Sequence, residues 1–160
     1  MTGATASGGV VPLWRLPDFR RYWVAREVSI AGTLVTAVAL PVLVYRLTGS
    51  PSLTALIAVV EGLPYLMFGL VSGALSDRLD RRQVMVLADL VAAVVIASVP
   101  LAHWFGTLTA AHALLAGFLA QAAFVFFDGA AFGALPAVVG RERIGEANAA
   151  IWGVGSFLDL

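Results

Sequence analysis

The chain has 160 residues, 60% of them hydrophobic and 12% charged, with a mean hydropathy of +0.91. A soluble domain of this size is nearer half apolar and a quarter charged. The excess is gathered into apolar stretches of about 18 residues or more, enough to cross roughly 30 Å of hydrocarbon, so the chain reads as an integral membrane protein. The net charge of zero hides an uneven layout, because all 10 basic residues are arginine and they cluster. Cysteine is absent, which leaves no disulfide framework, thiol catalysis or cysteine-ligated metal.

Strand-period alternation is missing, which argues against a barrel. Helices satisfy their own backbone hydrogen bonds in lipid, and these runs have helical length. The expected fold is therefore all-α, with four transmembrane helices and the start of a fifth. Residues 1–17 begin with small polar residues and lack a secretory-signal pattern, so they are read as a disordered cytoplasmic tail. Residues 18–160 are read as a partial N-terminal transmembrane bundle.

Trp14 to Trp23 mixes aromatic rings with arginines, the chemistry of a membrane interface. The first span is expected over about residues 23–47, with Arg26 and Glu27 at its inner end. Thr48-Gly49-Ser50-Pro51 is a short turn, which makes the second span, about 52–76, an antiparallel neighbour. Next comes a turn dense in charge, Asp77, Arg78, Asp80, Arg81 and Arg82, where Asp80 suits the N-cap of the third span at about 83–101. The fourth run, 110–139, has 30 residues and would be about 45 Å long as one straight helix. It is expected to tilt strongly or to break near Asp128-Gly129. A charged turn follows at Gly140–Glu146, and a fifth apolar run, 147–160, reaches the last residue of the sequence. Four spans and part of a fifth suggest a fragment.

Nine of the ten arginines fall at one end of this arrangement, and only Arg46 falls at the other. By the positive-inside rule the N-terminus and the 73–82 turn are cytoplasmic, in the cell membrane. Ala39-Leu40-Pro41 and Ala134-Leu135-Pro136 recur 95 residues apart near opposite ends of the bundle, as an inverted repeat would place them.

Three acids interrupt the apolar runs: Glu61, Asp89 and Asp128. An ionised side chain at mid-bilayer costs about 2.5–3.5 kcal/mol even on the permissive scale, so each must face a cavity or a partner, or be protonated. Glu61 and Asp128 lie near mid-depth, where transporters place substrate and proton sites. Asp89 is shallower and lies on the same helical face as Arg82, which suits a structural partner for the turn arginines. Gln121 is a candidate hydrogen-bonding group for a cavity. Gly69-x-x-x-Gly73 and Gly129-x-x-x-Gly133 are small-residue stripes suited to close helix packing. No phosphate-binding glycine loop, zinc motif or nucleophile elbow is present, so neither an enzyme nor a cofactor is expected. The arginines are too sparse, and too committed to membrane flanks, for nucleic-acid binding.

Gly73-x-Leu75-Ser76-Asp77-Arg78-x-x-Arg81-Arg82-x-x-Met85 resembles the signature between the second and third helices of the major facilitator superfamily. Phe19-Arg20-Arg21, Tyr45–Gly49, Leu87–Leu90 and the stretch from Ala134 to Ala149 are similar to the branch of enterobactin-type siderophore exporters, the transmembrane secretion effectors. The resemblance covers roughly 19–148 and only the first of the family's two six-helix halves. It departs at Asp128-Gly129-Ala130-Ala131, where relatives often have Pro-Ala-Arg, and in the lack of arginine within 110–139.

The resemblance implies a secondary active exporter of small amphipathic molecules that works by alternating access. It implies that Gly73, Asp77, Arg78, Arg81 and Arg82 gate the cytoplasmic side against a C-terminal half these residues lack. The implied partners are the lipid bilayer, a small-molecule substrate and protons. Glu61, Asp128, Asp89 and Gln121 are the substrate or proton candidates. Two other readings stay open: a four-helix membrane module acting as an oligomer, and a non-transporting membrane scaffold.

Overall fold

A computed structural model describes residues 12–158 and contains, among them, helices and turns only. The helices are α1 (Pro17–Thr48), α2 (Pro51–Ser76), α3 (Arg81–Trp104), α4 (Ala110–Val139) and α5 (Ile144–Leu158). Among the described residues, the first four are long and apolar enough to cross a membrane.

The turns explain the connectivity. Gly49 takes φ +64°, a left-handed conformation that closes α1, and its N–H reaches the Tyr45 carbonyl. Ser50 then caps α2 by accepting from the Leu53 N–H at 3.4 Å, and Pro51 fills the first helical position, where a missing N–H is harmless. Asp80 caps α3, its Oδ1 accepting from the N–H groups of Arg82 and Gln83 at 2.9 and 3.2 Å. Thr109 caps α4 by accepting from the His112 N–H.

Helix ends extend beyond the purely apolar spans. α1 begins at Pro17 rather than Trp23, and α3 runs on to Trp104 rather than Leu101. In both extensions aromatic and polar or charged residues continue the helix, so apolarity alone ends too early. Of the tail expected over 1–17, residues 1–11 lie outside the described residues. The rest is ordered: Leu13–Arg15 forms a 3-10 turn that buries Leu13, and Trp14 meets Phe19 and Trp23 edge-on at 5.4 and 5.2 Å. Leu13 finds a core to enter because Phe19 and Tyr22 bury the same face of α1.

α4 organises the bundle. It contacts α1, α2, α3 and α5, and it is the most buried of the four long helices. Its buried face is built from Ala113, Ala116, Gly117, Ala123, Ala130 and Ala131. Such small residues let neighbouring backbones approach, which is how helices gain packing energy where lipid supplies no hydrophobic drive. α4 is also continuous, so of the two expected outcomes the break at Asp128-Gly129 does not occur. Packing supports that segment: a Cβ on Gly129 would lie 2.9 Å from Ser72 Oγ and 3.3 Å from the Ser72 backbone carbon. Gly129→Ala should therefore overpack the α2–α4 contact and destabilise the protein by about 1–3 kcal/mol. Thermal unfolding in detergent, with Gly145→Ala as the unhindered comparison, measures this.

The interior divides into two packed clusters. One, at the arginine-rich end, joins Phe19, Tyr22, Ala88, Phe127, Ala131, Leu135 and Ala147. The other, at the far end, joins Leu40, Val44, Ile57, Val99, Ala113 and Ala116.

Candidate functional site

Between the two clusters lies a cavity of about 370 Å³. α1 lines one side with Ser29, Gly32, Thr33 and Thr36, and α3 the other with Ala88, Asp89, Ala92, Ala93 and Ile96. α4 forms the floor with Gly117, Ala120, Gln121, Phe124 and Phe127, and α2 contributes Glu61. Three of the four predicted substrate or proton residues, Glu61, Asp89 and Gln121, thus share one cavity.

The geometry follows from small residues placed opposite large ones. Gly117 lies where Leu40 of α1 and Glu61 of α2 meet α4: a Cβ there would press on Leu40 Cδ1 at 3.1 Å and stand at ordinary contact distance, 3.5 Å, from Glu61 Oε1. The Glu61 carboxylate thus rests beside α4 at this point. Asp89 does not pair with the turn arginines. Its Oδ1 accepts a 2.8 Å hydrogen bond from Ser29 Oγ, which links α3 to α1. Asp89 shares a helical face with Arg82, but its carboxylate meets Ser29 of α1 rather than the turn.

Asp128 lies apart from this cavity. It is within electrostatic reach of Tyr22 on α1 and Tyr65 on α2. Tyr22 donates from its hydroxyl to the Ala131 carbonyl at 2.9 Å, pinning α1 to α4 one turn away. Arg26 and Glu27, adjacent on α1, approach each other at 3.5 Å, with side chains 13% and 21% exposed. Arg26 follows Tyr22 by one helical turn on α1. The bundle thus holds two polar regions, one around Glu61, Asp89 and Gln121, and one around Tyr22, Arg26, Glu27 and Asp128.

Sequence reasoning missed the second region, because Arg26 and Glu27 pass for ordinary flanking charges. It also missed Ser29, Thr33 and Thr36. Their spacing of four and three residues places them on one helical face, a signal that was present. Thr33 and Thr36 donate to the backbone one turn earlier, to Ser29 and Gly32, leaving their oxygens as acceptors beside the cavity.

At the arginine-rich end, the α2–α3 turn lies over a groove lined by Asp18, Ser76, Asp77, Asp80, Arg81, Arg82, Ala134 and Val138. Arg81 Nη2 pairs with Asp77 Oδ1 at 3.0 Å, and Arg81 Nη1 donates to the Gly133 carbonyl of α4 at 2.5 Å. Arg78 and Arg82 are exposed. Gly69 and Gly73 point away from the rest of the bundle, and a Cβ on either would meet nothing within 4 Å. Leu66 and Leu70, on the same helix, are 85% and 94% exposed. No group of three or more metal-ligating side chains occurs among the described residues.

Comparison with known proteins adds to this geometry. The family described as transmembrane secretion effector matches residues 7–155. The multidrug efflux pump Tap of Mycolicibacterium fortuitum is 39% identical over 116 residues, covering 69% of this chain and 28% of that protein. Tap of Mycobacterium tuberculosis is 34% identical over 102 residues, covering 64% of this chain and 24% of its own length. Macrolide efflux protein A of Streptococcus pyogenes is 32% identical over 80 residues, covering 50% of this chain and 20% of its own. The matched segments thus span no more than 28% of these relatives. No solved structure matches.

Proposed function

This chain belongs to the transmembrane secretion effector family of major facilitator transporters, and on that premise we propose that it supplies part of a drug-type exporter. The exporter moves small amphipathic molecules across the cell membrane by alternating access, with the arginine-rich end cytoplasmic. The names of the relatives, a multidrug pump and a macrolide efflux protein, make a macrolide the first substrate to test.

One observation carries this reading: Glu61, Asp89 and Gln121, from three different helices, meet in one cavity between two packed clusters. Polar side chains in a membrane bundle cost free energy unless they serve a cavity, a partner or a pathway. Here Glu61 reaches the cavity beside Gly117 of α4, with its Oε1 3.5 Å from where a Cβ at 117 would stand. In the proposed mechanism Glu61 exchanges a proton for substrate, while the cavity's apolar walls hold the substrate's hydrophobic part. Gln121 and Asp89 provide hydrogen bonds, and Asp128 is a second proton-carrying position. The turn bearing Asp77, Arg78, Arg81 and Arg82 closes the cytoplasmic side by meeting a second half of the transporter. The open face of Gly69 and Gly73 suits that contact, since small residues let helices approach closely.

The test is macrolide efflux from cells expressing the full-length protein, measured as intracellular accumulation. Expression should lower accumulation, and Gln121→Leu should weaken the effect several-fold, as loss of one or two hydrogen bonds at about 1 kcal/mol each requires. Accumulation unaffected by expression of the folded protein would count against the proposal.

A further inference from the structure

The contact between Arg81 and α4 has a requirement on both sides. The Arg81 guanidinium forks across two helices, with Nη2 on the Asp77 carboxylate at the end of α2 and Nη1 on the Gly133 carbonyl of α4. The outer part of the side chain lies against Gly133. A Cβ there would stand 2.8 Å from Arg81 Nε, 3.1 Å from Cζ and 3.4 Å from Cδ. Gly133 has ordinary helical backbone angles, so its lack of a side chain serves space rather than conformation. The two glycines of the 129–133 stripe therefore differ in what they admit: Gly129 takes the backbone of α2 at Ser72, and Gly133 takes a side chain from α3.

We propose that Gly133 is the receptor notch for Arg81, a positioning residue that latches the α2–α3 turn onto α4. The latched ends of α2, α3 and α4 then move as one body when the cytoplasmic side opens and closes. Arginine suits position 81 because its rigid fork holds a carboxylate and a carbonyl on separate nitrogens, whereas a lysine would have to bring both acceptors to one ammonium. The consequence for transport rests on the gating role proposed above, but the latch itself does not.

The test uses the full-length protein with any cysteines outside these 160 residues removed, since none occurs within them. Ser76, 2% exposed and lining the groove beneath the turn, is replaced by cysteine. Inside-out vesicles are treated with a membrane-impermeant maleimide, and the initial labelling rate is followed. Gly133→Ala and Arg81→Lys should each raise that rate roughly tenfold, the scale of losing one hydrogen bond to a charged group. Arg81→Lys adds no bulk and so guards against simple misfolding by Gly133→Ala. The double variant should label no faster than either single one, because both remove the same contact. Unchanged labelling in both single variants, or multiplied effects in the double, overturns the latch. Macrolide export in the same vesicles separates the two ideas: faster labelling with export unchanged upholds the latch and rejects the gating role.

Discussion

Glu61→Gln is expected to abolish pH-driven export by the full-length transporter while leaving its abundance in the membrane unchanged. The initial rate should fall about a hundredfold or more, the scale of removing a side chain that transfers a proton. The expectation rests on position. Glu61 enters the cavity from α2, beside Gly117 of α4 and opposite the hydroxyl-bearing face of α1. Glutamine keeps the size and one hydrogen-bonding oxygen but cannot carry a proton, so packing beside Gly117 should survive. Substrate exchange without a gradient should therefore persist. If Glu61→Gln exports at the wild-type rate, proton coupling moves to the region of Asp128, Tyr22 and Arg26, and Asp128→Asn becomes the decisive variant.

The second large effect is expected at Gly73. A leucine there meets nothing within this bundle, because the glycine's open side has no atom within 4 Å. Substitutions at such positions normally change stability by no more than about 0.5 kcal/mol. Yet the gating role proposed above sets Gly73 and Asp77 against a helix of a second half, where small residues set how closely two helices approach. Gly73→Leu should thus leave folding and expression intact and cut export roughly tenfold or more by holding the cytoplasmic side apart, at a cost on the scale of 1–3 kcal/mol for overpacking. Export at the wild-type rate would remove this contact from the mechanism.

Much of the fold was readable from residue order. The four long helices follow from hydropathy because lipid demands continuous apolar helices, and Thr48–Pro51 follows from what glycine, serine and proline each do at a helix end. Helix ends were less legible. Pro17 to Tyr22 and Ala102 to Trp104 are helical but interfacial, and an apolar criterion has no means of separating them from loops. Glu61, Asp89 and Gln121 stood out singly as polar residues in apolar runs. Their convergence did not, because it depends on how three helices are rotated about their axes. Asp89 makes the point: periodicity aligned it with Arg82, and the rotation of α3 gave it Ser29. The 129–133 stripe was legible as a packing motif, but the different partners of its two glycines required three-dimensional neighbours.

If these helices form part of a proton-coupled exporter, Glu61 in the cavity carries the coupling. The most direct measurement is substrate movement in proteoliposomes containing the purified full-length protein, with a macrolide probe and an imposed pH gradient. Macrolide accumulation should be driven by the gradient, collapse with an uncoupler and be lost in Glu61→Gln. Folded protein that moves no macrolide under any imposed gradient, or that moves it equally well without Glu61, would contradict it.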